Sequence, residues 1–234
     1  MNTTNSPNSL QKQEPNSRQL VTSMAVAGFI SGLIIIAIYM LTFDTIKENK
    51  ARELRQAVFK VLPDVSHMQK LHFIDNKLLV VDSDGMDDDM IFAGYDKNGQ
   101  FIGYAIQGKG PGFQDTIHVL FGYMVTTSAT TGMEILDSRE TPGLGDKIFK
   151  DMDFVGEFIN HPMAKPIKAV KKGTKSHDYE IDAITGATIS AKAVVRIMNK
   201  AFALWSARLP QQGNEPAFEL TNPSDSPQAN TDNR

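Results

Sequence analysis

Between Arg18 and Asp44 the chain carries no charged side chain, and residues 24–43 are dominated by Ile, Leu, Val, Ala, Phe and Met. A helix of about 20 such residues, rising about 1.5 Å each, crosses the roughly 30 Å hydrocarbon layer of a bilayer. Met40-Leu41-Thr42-Phe43 is too bulky for a signal cleavage site, and Ala25-Val26-Ala27 comes too early for one. The pattern predicts an uncleaved transmembrane anchor at residues 20–43, with everything of substance folding on one side of a membrane. Lys12 and Arg18 precede the span, whereas Lys47, Lys50, Arg52, Arg55 and Lys60 follow it. By the positive-inside rule alone, those charges place the following domain in the cytoplasm.

Residue supply narrows the chemistry. The 234 residues contain no cysteine, which removes disulfides, thiolate metal sites, iron–sulfur clusters and thioester intermediates. Redox work would need a cofactor held in another way. A net charge of −3 without a basic, aromatic-interleaved stripe gives no reason to expect a nucleic-acid partner. His67, His72, His118, His161 and His177 are scattered without metal-ligand spacing, and Asp87-Asp88-Asp89 lacks the alternation and glycine of a calcium loop. No metal site is expected. There is no Gly-x-Ser-x-Gly elbow, and no catalytic residue is assigned.

A polar head at residues 1–19 is expected to be flexible, and a juxtamembrane helical stalk at 44–63 should end before Pro63. Strand patterns follow at 77–81, 90–95 and 101–106, the last two flanking the hairpin signal Asp96-Lys97-Asn98-Gly99. An acidic loop fills 82–89. Gly108-Lys109-Gly110-Pro111-Gly112 lacks the P-loop ending and reads first as a turn, with cofactor contact second. Further strands are expected at 117–125 and 133–136, joined through 126–131, with a short helical or irregular piece at 149–158 and an edge strand at 167–170. From Ile189 to Trp205 the apolar residues recur at three-and-four spacing without Gly or Pro, predicting an amphipathic helix. Residues 209–234 read as a disordered tail. The class is α+β, a single mixed-sheet domain at 64–208 behind one N-terminal transmembrane helix.

Just before that last helix stands Asp182-Ala183-Ile184-Thr185-Gly186-Ala187-Thr188-Ile189-Ser190. Small residues let backbone approach a ligand, and the unpaired N–H groups and dipole of a helix start attract an anion. A phosphate there would lie beside the Thr188 hydroxyl. Taken alone, the segment is equally an ordinary N-cap. A second motif, Glu-Thr-Pro-Gly-Leu-Gly at 140–145, is alone no more than a turn, with Gly143 at the position needing positive φ.

Together, Asp-x-x-Thr-Gly-Ala-Thr and Glu-Thr-Pro-Gly-Leu-Gly resemble the two signatures of the FMN-binding domain family over about residues 76–205. The layout is most similar to the G subunit of Rnf-type electron-transport complexes, and next to the C subunit of the sodium-translocating NADH:quinone reductase. The resemblance implies FMN joined by a phosphoester to Thr188, installed by a separate flavin transferase that spends FAD and expels AMP. It implies a cofactor-binding set of Asp182, Thr185, Gly186, Ala187 and Thr188 with Glu140, Thr141, Gly143, Leu144, Gly145 and Lys147. Thr185 would hold phosphate oxygens, Lys147 would offset phosphate charge, and Asp182 would shape the turn or bind magnesium during attachment. Glu140, Thr141 and Leu144 would meet the flavin ring or ribityl chain. The family further implies an electron relay completed by other subunits of an ion-translocating membrane complex, and a periplasmic domain, against the flanking charges. A membrane-tethered ligand-binding or sensory module without electron transfer is the alternative from another class.

Overall fold

The structure, a computed structural model, describes residues 16–81 and 89–218. A first helix, α1, runs through Ser17–Val61, and its most apolar 18-residue window has a mean hydropathy of 2.4. That helix is long and apolar enough to cross a membrane. Its side chains from Leu20 to Phe43 are largely exposed, as a lipid-facing surface requires.

The described residues from Ala51 onward form a compact unit of their own. Six strands, β1 (His67–Ile74), β2 (Lys77–Val80), β3 (Met90–Tyr95), β4 (Phe101–Pro111), β5 (Thr116–Met124) and β6 (Ala129–Ser138), make an antiparallel sheet in the order β2-β1-β3-β4-β5-β6. The expected hairpin joins β3 to β4. Its turn is pinned by the Asp96 carboxylate, which accepts the N–H groups of Asn98 and Gln100 at 2.8 Å each, and Gly99 takes φ +75°. After the short helices α2 (Lys147–Lys150) and α3 (Met152–Gly156), strands β7 (Lys168–Val170) and β8 (Glu180–Asp182) pair in parallel as a separate two-stranded sheet, so the domain holds both strand senses in two sheets and not in one mixed sheet. Helix α4 (Thr188–Ser206) closes it.

Strand alternation assigns the two faces of the sheet to two cores. Ile91, Ala93, Tyr104, Ile106, Val119 and Phe121 pack with Ala191, Val194, Ile197, Met198 and Trp205 of α4. Phe92, Ala105 and Leu120, the intervening residues, pack with Leu54, Val58, Val61 and Leu62. With both faces covered, the strands read as nearly continuous apolar runs. Each fully buried Leu, Ile, Val or Phe contributes on the order of 1.5–3 kcal/mol of transfer free energy.

Four expectations are corrected here. Residues 54–62 are not a solvated stalk: they form the layer beneath the sheet, and the Thr131 hydroxyl donates to the Val61 carbonyl at 2.5 Å. Gly108 and Gly110 are strand residues, not a turn. A Cβ on either would come within 2.9 Å of Ile197, so the glycines let α4 lie directly on β4. The connection before β6 is shorter than 126–131, because pairing already starts at Ala129 against Met124. The segment 209–218 is placed against the domain, with the Tyr95 hydroxyl donating to the Pro216 carbonyl at 2.8 Å and Phe218 tilted on Tyr95 and His67. Residues 219–234, the head at 1–15 and the acidic residues 82–88 lie outside the described residues. Of the three consecutive aspartates only Asp89 is described, and it is ion-paired with Arg208.

Candidate functional site

Four segments converge at the start of α4. The chain leaves β8 at Asp182, whose carboxylate accepts the Gly173 N–H at 3.0 Å and so ties the strand to the turn at 171–174. Residues 184–187 then make a tight turn closed by the Ala187 N–H to the Ile184 carbonyl at 3.1 Å. Gly186 sits at the third position with φ +84°, a conformation that a side chain would strain. Ala187 is buried, whereas Thr185, Gly186 and Thr188 are exposed.

Thr188 is the first residue of α4 and caps nothing. Ala187 occupies the cap position without a side-chain bond, and the hydroxyl of the exposed Thr188 donates back to the Ile184 carbonyl at 3.2 Å. The first backbone bond of the helix runs from the Ala191 N–H to the Ala187 carbonyl at 2.9 Å. The amides of Thr188, Ile189 and Ser190 therefore form its open, partly positive end. Lys147 brings a full charge to the same place, since a Cβ on Gly186 would lie 3.9 Å from its Nζ. An exposed hydroxyl, a glycine turn, free helix amides and an ammonium fit a phosphate monoanion esterified at Thr188.

The second motif turns back on itself. Leu144 and Asp146 donate to the Thr141 carbonyl, and Gly143 takes φ +78° as the spacing predicts. Leu144 is 51% exposed, an apolar side chain offered outward, and Thr141 donates its hydroxyl to Gln114 Oε1 at 2.7 Å. Glu140 departs from the expectation of a flavin contact, because it is only 6% exposed and points inward. Its Oε1 accepts the N–H groups of Phe113 and Gln114 at 2.8 and 3.0 Å, and its Oε2 accepts the Ser190 hydroxyl at 2.7 Å. Burial pushes this carboxyl up, but the Ser190 hydroxyl and the amides of Gln114, Phe113 and Asp115 outweigh it and hold Glu140 below the usual range. Gly145 lies on this carboxylate: a Cβ there would be 2.5 Å from Oε2. Beside it, Asp146 is buried and held low by the Lys150 ammonium at 2.6 Å.

Sequence reasoning missed Phe113, Gln114 and Ser190 as members of this cluster. A signal for Ser190 existed, since a polar residue two positions into an amphipathic helix, on its buried side, needs a partner. For Phe113 and Gln114, whose backbone makes the contact, no side-chain signal existed.

The FMN-binding domain family model matches residues 112–203, which contain every one of these groups. The G subunit of an ion-translocating oxidoreductase complex from Methanosarcina acetivorans is 27% identical over 81% of this chain and 95% of its own length. The corresponding G subunit of Vibrio vulnificus is 31% identical, covering 80% of this chain and 87% of that relative. The chain belongs to the G-subunit family of ion-translocating oxidoreductase complexes. Among solved structures, NqrC of Shewanella oneidensis is similar with a TM-score of 0.59 at 15% identity, over 69% of this chain and 98% of that one. The C subunit of the Na+-translocating NADH-quinone reductase of Parabacteroides distasonis is similar with a TM-score of 0.57 at 18% identity, over 74% and 98%. Those two likenesses concern the fold, an α+β architecture that this G-subunit family member shares.

Proposed function

We propose that the chain is a membrane-anchored flavoprotein subunit that relays electrons through FMN esterified at Thr188 within an ion-translocating oxidoreductase complex. The observation that carries this reading is the exposed Thr188 at the open end of α4, with Lys147 beside the Gly186 turn. In the attachment step the Thr188 oxygen forms a bond to the FMN phosphorus of FAD, the pyrophosphate bond breaks, AMP leaves, and the hydroxyl proton passes to the flavin transferase or to solvent. Bound FMN supplies the electron-carrying ring. The protein's share is to hold the phosphate with the α4 amides, Thr185 and Lys147, to keep the turn narrow with Gly186 and Ala187, and to offer Leu144 as apolar contact. Donor and acceptor come from other subunits. Magnesium used in attachment belongs with the transferase reaction, where Asp182 is the candidate ligand on this chain.

Mass spectrometry of the tryptic peptide between Lys175 and Lys192, from protein made with the transferase, tests the ester. The peptide should carry FMN, and Thr188→Ala should abolish the flavin fluorescence that stays with the chain on a denaturing gel. An unmodified wild-type peptide overturns the reading in favour of a ligand-binding module. The same reading puts the domain in the periplasm, against the charges flanking the span. Protease added to intact spheroplasts should digest it, and full protection would put it in the cytoplasm.

A further inference from the structure

Ser190 lies two residues after Thr188 in the same helical turn and is 3% exposed. Its hydroxyl donates to Glu140 Oε2, and the other oxygen of that carboxylate takes two successive amides of the turn after β4. Glu140 thus joins three segments distant in sequence: the turn at 112–115, its own turn at 140–145, and the first turn of α4. Two glycines press against it from either side. A Cβ on Gly112 would collide with Oε1, and one on Gly145 would lie 2.5 Å from Oε2, 2.7 Å from the Glu140 Cβ and 3.1 Å from the Ser190 oxygen. A buried anion is costly unless its bonds are satisfied, and here both oxygens are used. Neither of them reaches Thr188, so the group can act on that residue only through the helix turn.

We infer that Glu140 is a positioning residue for flavin attachment: through Ser190 it fixes the helix turn that presents the Thr188 oxygen, in register with the two glycine turns beside it. The inference rests on Thr188 being the acceptor. It assigns the second signature motif a job distinct from touching the flavin, because the carboxylate is consumed by internal bonds. It also explains why glycine stands at 112 and 145, where any side chain would displace the carboxylate.

The test is single-turnover attachment of FMN to the purified full-length protein by the flavin transferase with FAD. The rate constant and the final extent are followed as fluorescence on denaturing gels. Glu140→Ala and Ser190→Ala should lower the rate constant about tenfold, the value of a hydrogen bond to a charged group, while the folded fraction still labels fully. Gly145→Ala should do the same with the carboxylate present. Glu140→Gln keeps an acceptor for the two amides and can donate to the Ser190 oxygen, so it should recover most of the rate. A purely structural role predicts the opposite split, a lower extent with an unchanged rate constant, and that result overturns the inference. Equal rate constants for Glu140→Ala and wild type overturn it as well. A wild-type protein that never labels would instead overturn the acceptor reading, and this inference with it.

Discussion

At the residue scale, charged groups in this domain act by what they fasten. Glu180 is buried at the start of β8, accepting the Ser176 amide and hydroxyl, the His177 amide and, from β7, the Lys168 ammonium. The Ser176 amide foremost, then Lys168, holds its carboxyl at about 2 against the ordinary 4.5. A depressed folded pKa means the contribution is complete above the ordinary value and is lost as pH falls from 4.5 towards 2. Melting temperatures of wild type and Glu180→Gln should therefore differ at neutral pH and converge across that acid window; parallel curves would contradict the assignment. The place of Thr188 at the start of the last helix was legible in the sequence, because the three-and-four apolar spacing begins directly after it. The direction of Glu140 was not, since an acidic residue beside a glycine turn reads identically whether it faces a ligand or the core.

At the element scale, the hairpin of β3 and β4, signalled by Asn98-Gly99 between two apolar runs, and the amphipathic α4 were readable because a single pattern determined each. Strand β1 was not: His67-Met68-Gln69-Lys70-Leu71 puts polar side chains among the buried ones, and Gln69, paired with Ala93 of β3, is itself buried. Gly108 and Gly110 were ambiguous because glycine serves a turn and a close approach equally well. Their actual use gives a sharp expectation. In Gly108→Ala the new methyl meets Ile197 at 2.9 Å and Ala201 at 3.1 Å, and such overpacking costs about 1–3 kcal/mol. Thermal unfolding should record the loss, and adding Ile197→Ala should cost less than the two single changes summed, because one removes what the other strikes. Strict additivity would show that α4 does not rest on β4 at that point. The buried stripe Leu54, Ala57, Val58 and Val61 keeps helical three-and-four spacing and was available to be read. Surrounding lysines and arginines disguised it as a solvated stalk.

At the scale of the whole molecule, the sheet needs cover on both faces, and the lower cover comes from the end of α1. A fragment of residues 51–234 should fold and accept FMN from the transferase. One of residues 64–234 exposes Phe92, Ala105 and Leu120 and should aggregate or melt far lower, as circular dichroism and size exclusion would report. Equal stability of the two fragments would refute the existence of a second core. Family and cofactor class were legible from two short motifs, because holding a phosphate-bearing cofactor takes small residues and a helix start at particular spacing. The layering was hidden, because it depends on which segments meet in space.

Ile184 and Ala187 seat the turn in the packed core while Thr185, Gly186 and Thr188 stay exposed, so on the proposed reading the polypeptide should reach its folded shape before the prosthetic group is attached. Riboflavin starvation would then leave a reservoir of complete but colourless polypeptides in the membrane, ready for loading once supply returns and requiring no new synthesis.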